Sequence, residues 1–226
     1  MEAIEQFPIT TIFSDVGGVI LTNGWDRTAR REAAARFGLD WEEYQDRHEL
    51  AGEAFEIGEI TLEQYLTRTI FYRARSFGME EFRAHMFAQS RPFPESMEVI
   101  AELARMGRYL MGTLNNEEME LNIYRIERFG LRNYFSFFLS SCFLHVRKPN
   151  EEIYRMALRI VQRRPEECLF IDDRKLNLES AQAIGIRTIL YQNPAQLRGD
   201  LAAHGIPIAM APEPDGRENG PADGTP

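Results

Sequence analysis

Short apolar runs alternate with longer amphipathic ones along this chain, and that alternation predicts a layered α/β protein. Runs of strand length, rich in β-branched or aromatic residues, lie at Thr10–Phe13, Arg108–Met111, Phe135–Leu139, Leu169–Ile171 and Thr188–Tyr191. Between the later ones, apolar residues recur at helical spacing over Pro94–Met106, Glu118–Phe129, Asn150–Val161 and Asn177–Ile184. Gly107, Gly130 and Gly185 each stand just past such a segment, where a helix closes most easily on a left-handed residue. Strands separated by helices of this length read as βαβ units and a parallel, Rossmann-like sheet. The apolar run Phe135–Phe143 reads as a buried central strand of that sheet.

The interval 23–90 carries no strand pattern and reads as helices interrupted at Gly38, Gly58 and Gly78. It falls between the first and second strands, so it is expected to be an inserted α-helical cap over one edge of the sheet. The expected organisation is a core of residues 1–22 and 91–211, a helical cap of 23–90, and a disordered tail of 212–226 rich in Pro, Gly, Asp and Glu.

Composition narrows the classes. The 226 residues, 44% hydrophobic and 27% charged, suffice for a sizeable core. Lys and Arg number 26 against 35 Asp and Glu, a net charge of −9, which argues against nucleic acid or an anionic membrane as partner. Any phosphate must then be held locally. Cys142 and Cys168 lack metal-type spacing and read as buried thiols in a reducing cytosol. The acidic start Met1–Gln6 lacks a secretory pattern, and the apolar stretch Tyr134–Val146 is too short to cross a bilayer, so a cytoplasmic protein is expected.

In an open parallel sheet, ligands bind beyond the carboxyl ends of the strands. Polar groups follow each strand here: Ser14-Asp15-Val16-Gly17-Gly18, then Gly112-Thr113-Leu114-Asn115-Asn116, then Arg147-Lys148-Pro149, then Asp172-Asp173-Arg174. Singly, each is an ordinary turn or helix start; jointly they suggest a site. If Asp15, Asp172 and Asp173 converge to within roughly 4 Å, each pair repels by about 4 kcal/mol at an effective dielectric near 20, so a cation is needed. Donors that are all oxygen point to a hard ion, Mg²⁺ beside a phosphate, with Lys148 holding the anion.

These residues resemble the four motifs of the haloacid dehalogenase superfamily: a hydrophobic strand ending in Asp15-Val-Gly-Gly-Val, Thr113, Lys148-Pro149 before a helix, and Ile171-Asp172-Asp173 with Asn177. The resemblance covers residues 10 to 193 and is closest to the phosphatase branch with an Asp-x-Gly-Gly-Val first motif, which includes sugar-1-phosphate phosphatases and the phosphatase domain of soluble epoxide hydrolases. It implies a Mg²⁺-dependent phosphomonoesterase acting on a small phosphorylated metabolite, such as a sugar phosphate, through an aspartyl-phosphate. Asp15 would be the nucleophile. Thr113, helped by amides opening the next helix, would bind a phosphate oxygen, and Lys148 would neutralise the phosphoryl group. Asp15, Asp173 and the Gly17 carbonyl would hold Mg²⁺ with Asp172 in support, while Gly17 and Gly18 let the backbone approach. Asn23, Leu114 and Asn116 lie near the expected mouth and are candidates for substrate contact.

The chain departs from the family pattern at Gly17, where many relatives carry an acid that protonates the leaving group; general acid help is typically worth 10²- to 10⁴-fold. Leu114 and Ser14 also differ from the usual residues. Two other functions share the fold: a 2-haloacid dehalogenase, against which the Asp172-Asp173 pair argues, and a non-catalytic phosphate-binding protein, which Gly17 leaves open. In the cap, Trp25, His48, Glu53, Phe55 and Glu56 are candidates, with His48 read foremost as structural and Trp25 and Phe55 as core. Arg147 could add charge beside Lys148 or be solvated.

Overall fold

The computed structural model describes residues 7–209; the expected tail at 212–226 lies outside them. Within these residues, parallel strands form one sheet of order β3-β2-β1-β4-β5. The first strand, β1 (Thr11–Ser14), is wholly buried at the centre, with Ile12 and Phe13 packing on opposite faces between the small polar Thr11 and Ser14. β2 (Leu110–Asn115) and β3 (Phe137–Ser140) extend the sheet to one side, and β4 (Cys168–Asp172) and β5 (Arg187–Leu190) to the other. The chain therefore reverses its direction of winding between β1 and β4, the switch point at which open sheets bind ligands.

Two expectations need correction. Phe135–Phe143 supplies an edge strand, not a central one. Its apolar character serves packing: the Phe137 ring lies across Gly112, where a Cβ would come within 2.5 Å of it, and meets Phe13 edge-on at 6.1 Å. The second strand also runs further than its apolar core suggested, to Asn115, which places Thr113 inside the strand rather than after it.

Between β1 and β2 lie α1 (Arg27–Phe37), α2 (Trp41–Glu56), α3 (Leu62–Thr69), α4 (Met79–Ala88) and α5 (Pro94–Met106). Asp26 and Asp40 cap α1 and α2 through their side chains, Thr61 and Gln64 form a capping box on α3, and Gly38 closes α1 at φ 61°. α1 to α4 enclose their own aromatic cluster around Tyr65, Phe82 and Trp25. The two ends of this insertion meet at the sheet, where Thr22 N donates to Arg91 O and Phe93 N donates to Ile20 O, each at 2.9 Å. After β2 come α6 (Met119–Arg128), a short α7 (Ser141–Leu144) following β3, α8 (Glu151–Val161), α9 (Lys175–Ala183) and α10 (Pro194–Ala203). The last has no counterpart in the periodicity read from the sequence, because only Leu197 and Leu201 face inward. Cys142 and Cys168 are free and buried, their thiols pushed up to about 12 by burial, which leaves them inert. Among the described residues no helix is long and apolar enough to cross a membrane.

Candidate active site

Asp15 directly follows β1, Asp172 closes β4 and Asp173 follows it, so adjacent strands deliver three carboxylates to one edge. One oxygen from each of Asp15, Asp172 and Asp173 lies within 4.8 Å of the others. Lys148, on the loop between α7 and α8, places Nζ 3.0 Å from Asp15 Oδ2 and 2.6 Å from Asp172 Oδ2. It is buried, and its ammonium also lies 5.2 Å from the centre of the Phe170 ring. Burial alone would lower its pKa, but the two carboxylates outweigh that and the net shift is upward, so Lys148 is charged at neutral pH.

Each carboxylate has a distinct setting. Asp15 Oδ1 accepts from Val16 N at 2.7 Å, and burial pushes the Asp15 carboxyl up to about 7, with Lys148 pulling down and Asp172 pushing up. Asp172 is fully enclosed and satisfied: Oδ1 accepts from Arg174 N at 2.7 Å, and Asn177 Nδ2 donates to both its oxygens at 3.0 Å. Asn177 is itself held by Tyr154, whose hydroxyl donates to the Asn177 carbonyl at 2.8 Å. Asp173 differs, because its Oδ1 is shielded from solvent yet has no hydrogen-bond partner. Its pKa is raised by burial and then by Asp172. Gly18, at φ 75°, passes so close that a Cβ there would sit 2.5 Å from Asp173 Cγ.

With all three carboxylates ionised, one ammonium leaves two negative charges in excess, and a buried oxygen without a donor costs about 1–3 kcal/mol or more. A divalent cation held by Asp15 and Asp173 fits both facts, and the all-oxygen donor set suits a hard ion. The Gly17 backbone lines the same cavity.

That cavity has a volume of about 670 Å³ and lies between the strand ends and the insertion. Of the residues expected to form the site, Asp15, Gly17, Asn23, Asn116, Lys148 and Asp173 line it. Asp172 sits behind Lys148. Thr113 and Leu114 do not line the cavity. Thr113 pairs with Ser14, one residue short of Asp15, so strand alternation turns its buried hydroxyl away, where it has no partner among the described residues. Leu114 takes the place beside Asp15 but packs into the apolar cluster with Phe13 and Phe170. The amides opening α6 are likewise committed, since Glu118 caps Glu120 N at 2.9 Å and Leu121 N at 3.0 Å. Asn116 instead clamps the lysine loop: its Nδ2 donates to Lys148 O and its Oδ1 accepts from Lys148 N, both at 2.9 Å.

Position 17, which has no side chain, is backed by Asn23, whose Oδ1 lies 3.1 Å from where a Cβ would be. Arg147, though its side chain is 42% exposed, is not left to solvent alone: it pairs with Glu56 and, at 3.7 Å, with Glu53. Ser141 Oγ donates to Glu56 O at 2.7 Å beside it, so α2 is latched to the loop carrying Lys148. From the insertion, Trp25, His48, Glu53, Phe55 and Glu56 all reach the cavity wall.

Some residues escaped the sequence reading. Glu117 and Arg125 form a buried ion pair in which Arg125 also binds the Thr22 carbonyl, tying α6 to the start of the insertion. No local pattern announces a pair of this kind. Arg30 is buried on α1 and lines the cavity. Its signal was legible, since Arg30 shares the helix face of Ala33 and Ala34 at i+3 and i+4.

Residues 9–185 match the family described as haloacid dehalogenase-like hydrolase. Over 181 residues the chain is 26% identical to flavin mononucleotide hydrolase 1 of Arabidopsis thaliana, covering 80% of this chain and 73% of that one. It is 26% identical over 113 residues to the glyceraldehyde 3-phosphate phosphatase of Methanothermobacter thermautotrophicus, covering 48% of this chain and 50% of that one. Among solved structures, a HAD family enzyme of Bacteroides thetaiotaomicron in complex with magnesium and inorganic phosphate superposes with a TM-score of 0.67 at 20% identity, over 81% of this chain and 94% of that one.

Proposed function

The chain belongs to the haloacid dehalogenase-like hydrolase family, and from that premise we propose that this enzyme is a Mg²⁺-dependent phosphomonoesterase acting on a small phosphorylated metabolite. One observation carries the reading: Asp15, Asp172 and Asp173 converge to within 4.8 Å beside Lys148 at the cavity wall, with a buried Asp173 oxygen left without a donor among the described residues. Asp15 and Asp173, with the Gly17 carbonyl, would hold Mg²⁺, which when bound supplies positive charge against the phosphoryl oxygens. The names of the two sequence relatives, a flavin mononucleotide hydrolase and a glyceraldehyde 3-phosphate phosphatase, support the substrate class.

In this reading an Asp15 carboxylate oxygen attacks phosphorus and the bond from phosphorus to the ester oxygen breaks, giving an aspartyl-phosphate and an alkoxide. Residue 17 is glycine, so the alkoxide takes its proton from water. Water then attacks the aspartyl-phosphate, returning the Asp15 carboxylate and releasing inorganic phosphate. Lys148 pulls the Asp15 carboxyl towards ionisation against the effect of burial and meets the charge that develops on the phosphoryl group. Asn116 and the Glu56–Arg147 pair keep the lysine loop in place from opposite sides. The insertion covers the site and excludes water from it. A 2-haloacid dehalogenase has no use for the unpartnered Asp173 carboxylate, which a halide or a carboxylate substrate would only encounter as repulsion.

Hydrolysis of para-nitrophenyl phosphate tests this. Turnover is expected with Mg²⁺, none with EDTA, and none in Asp15→Asn. Full activity of that variant, or turnover of a haloacid without metal, would overturn the reading.

A further inference from the structure

The cavity wall also carries a buried positive charge that no described residue neutralises by an ion pair. Arg30 on α1 is 8% exposed. Its Nη1 donates to the Trp25 carbonyl at 2.6 Å, its Nη2 reaches Gln45 Oε1 only at 3.5 Å, and its Nε has no partner. Among the described residues it makes no ion pair. The other arginines lining the cavity are accounted for: Arg125 is paired with Glu117, Arg147 with Glu56, and Arg27 and Arg174 are exposed. A buried charge without a counter-ion costs several kcal/mol, and a neutral donor would serve the Trp25 carbonyl as well.

The groups bonded to Arg30, the Trp25 carbonyl and Gln45, are uncharged and polar, while Asp26, Glu49, Glu53 and Glu56 also line the cavity without pairing with it. The Tyr65 hydroxyl accepts from Trp25 Nε1 at 3.3 Å and lies 2.9 Å from His48 Nδ1. Burial, then Arg30, then Arg147 hold His48 down to about 4, leaving it neutral. Its ring lies over Gly52 in mid-helix, where a Cβ would approach within 2.8 Å of Cε1. The glycine, which weakens α2 by about 1 kcal/mol, thus opens room for the His48 ring at the cavity wall.

We propose that Arg30, with His48 beside it, is a second anion subsite, so that the preferred substrates are phosphomonoesters bearing a second anionic group, carboxylate or phosphate, at the end remote from the bond that is cut. This rests on the phosphatase reading above and specifies the substrate class for it.

Two substrate pairs test it: 3-phosphoglycerate against glycerol 3-phosphate, and fructose 1,6-bisphosphate against fructose 6-phosphate. Wild type should prefer the member carrying the second anionic group in at least one pair, in kcat/KM by a factor on the order of 10 to 100, as a charged hydrogen bond provides. Preference in the first pair alone assigns a carboxylate; in the second alone, a phosphate. In Arg30→Met the ratio should collapse towards one, while Arg30→Lys keeps part of it. Equal kcat/KM within both pairs in wild type, or a ratio unchanged in Arg30→Met, would overturn the subsite. If the variant does not fold, the wild-type ratios decide alone. Turnover of para-nitrophenyl phosphate, which has no second anion, separates the outcomes: its absence marks failure of the phosphatase reading, its presence with equal ratios marks failure of the subsite only.

Discussion

Replacing Lys148 by Met keeps the volume of the side chain and removes the single charge that balances two buried carboxylates. At 3.0 Å and 2.6 Å the two contacts are each worth about 6 kcal/mol of Coulomb attraction at an effective dielectric of about 20, before the desolvation of the ions is set against it. Breaking such a pair by deleting one partner typically costs about 3–5 kcal/mol. Part of that cost must depend on pH. In the metal-free wild type the Asp15 carboxyl stands at about 7, raised by burial and restrained by Lys148; without the lysine it rises further. A carboxyl raised above its unfolded value of 3.8 takes up a proton on folding, so its contribution falls as pH climbs to the folded pKa and is constant beyond it. Below about pH 7 wild type and Lys148→Met lose stability in parallel from this group; above it, wild type levels off and the variant continues to fall. Urea denaturation in EDTA should therefore show a deficit of about 3 kcal/mol or more at pH 6.5 that widens towards pH 8.5 by up to about 1.4 kcal/mol per unit. A deficit that is absent, or constant across this range, would refute the electrostatic account of Lys148.

Gly18→Ala forces a Cβ onto the Asp173 carboxylate at a left-handed φ of 75°, so a stability loss of about 1–2 kcal/mol is expected together with a weakening of Mg²⁺ binding that calorimetry would detect; wild-type affinity would sink the Asp173 assignment. Cation binding must displace a proton from Asp15, whose carboxyl stands at about 7, so Mg²⁺ should raise Tm clearly at pH 8 and little at pH 5.5; equal shifts would contradict it. Gly17→Asp restores an acid beside the leaving group at the cost of moving Asn23 Oδ1 from 3.1 Å, and should raise kcat for alkyl phosphates by up to about 10²-fold while changing para-nitrophenyl phosphate, a good leaving group, far less. Equal effects on both would show that proton supply to the leaving group is not limiting.

Sequence alone determined the local grammar: the strand-forming runs, most helix limits, the helical interval between β1 and β2, and the presence of Asp15 and Asp172-Asp173 at strand ends and of Lys148 before a helix. These are set by side-chain periodicity and by residues that end helices, and both are written in neighbouring positions. Tertiary structure decided everything that depends on register and on lateral order. Leu110–Asn115 could be bounded only by its pairing with β1, and that pairing set Thr113 one residue short of Asp15 and turned its hydroxyl away. The Phe-rich β3 reads as central by composition, yet lies at an edge because Phe137 covers the face that Gly112 leaves bare. In each case the deciding partner lies tens of residues away along the chain, beyond the reach of any local pattern, and is fixed only when strands and helices pack.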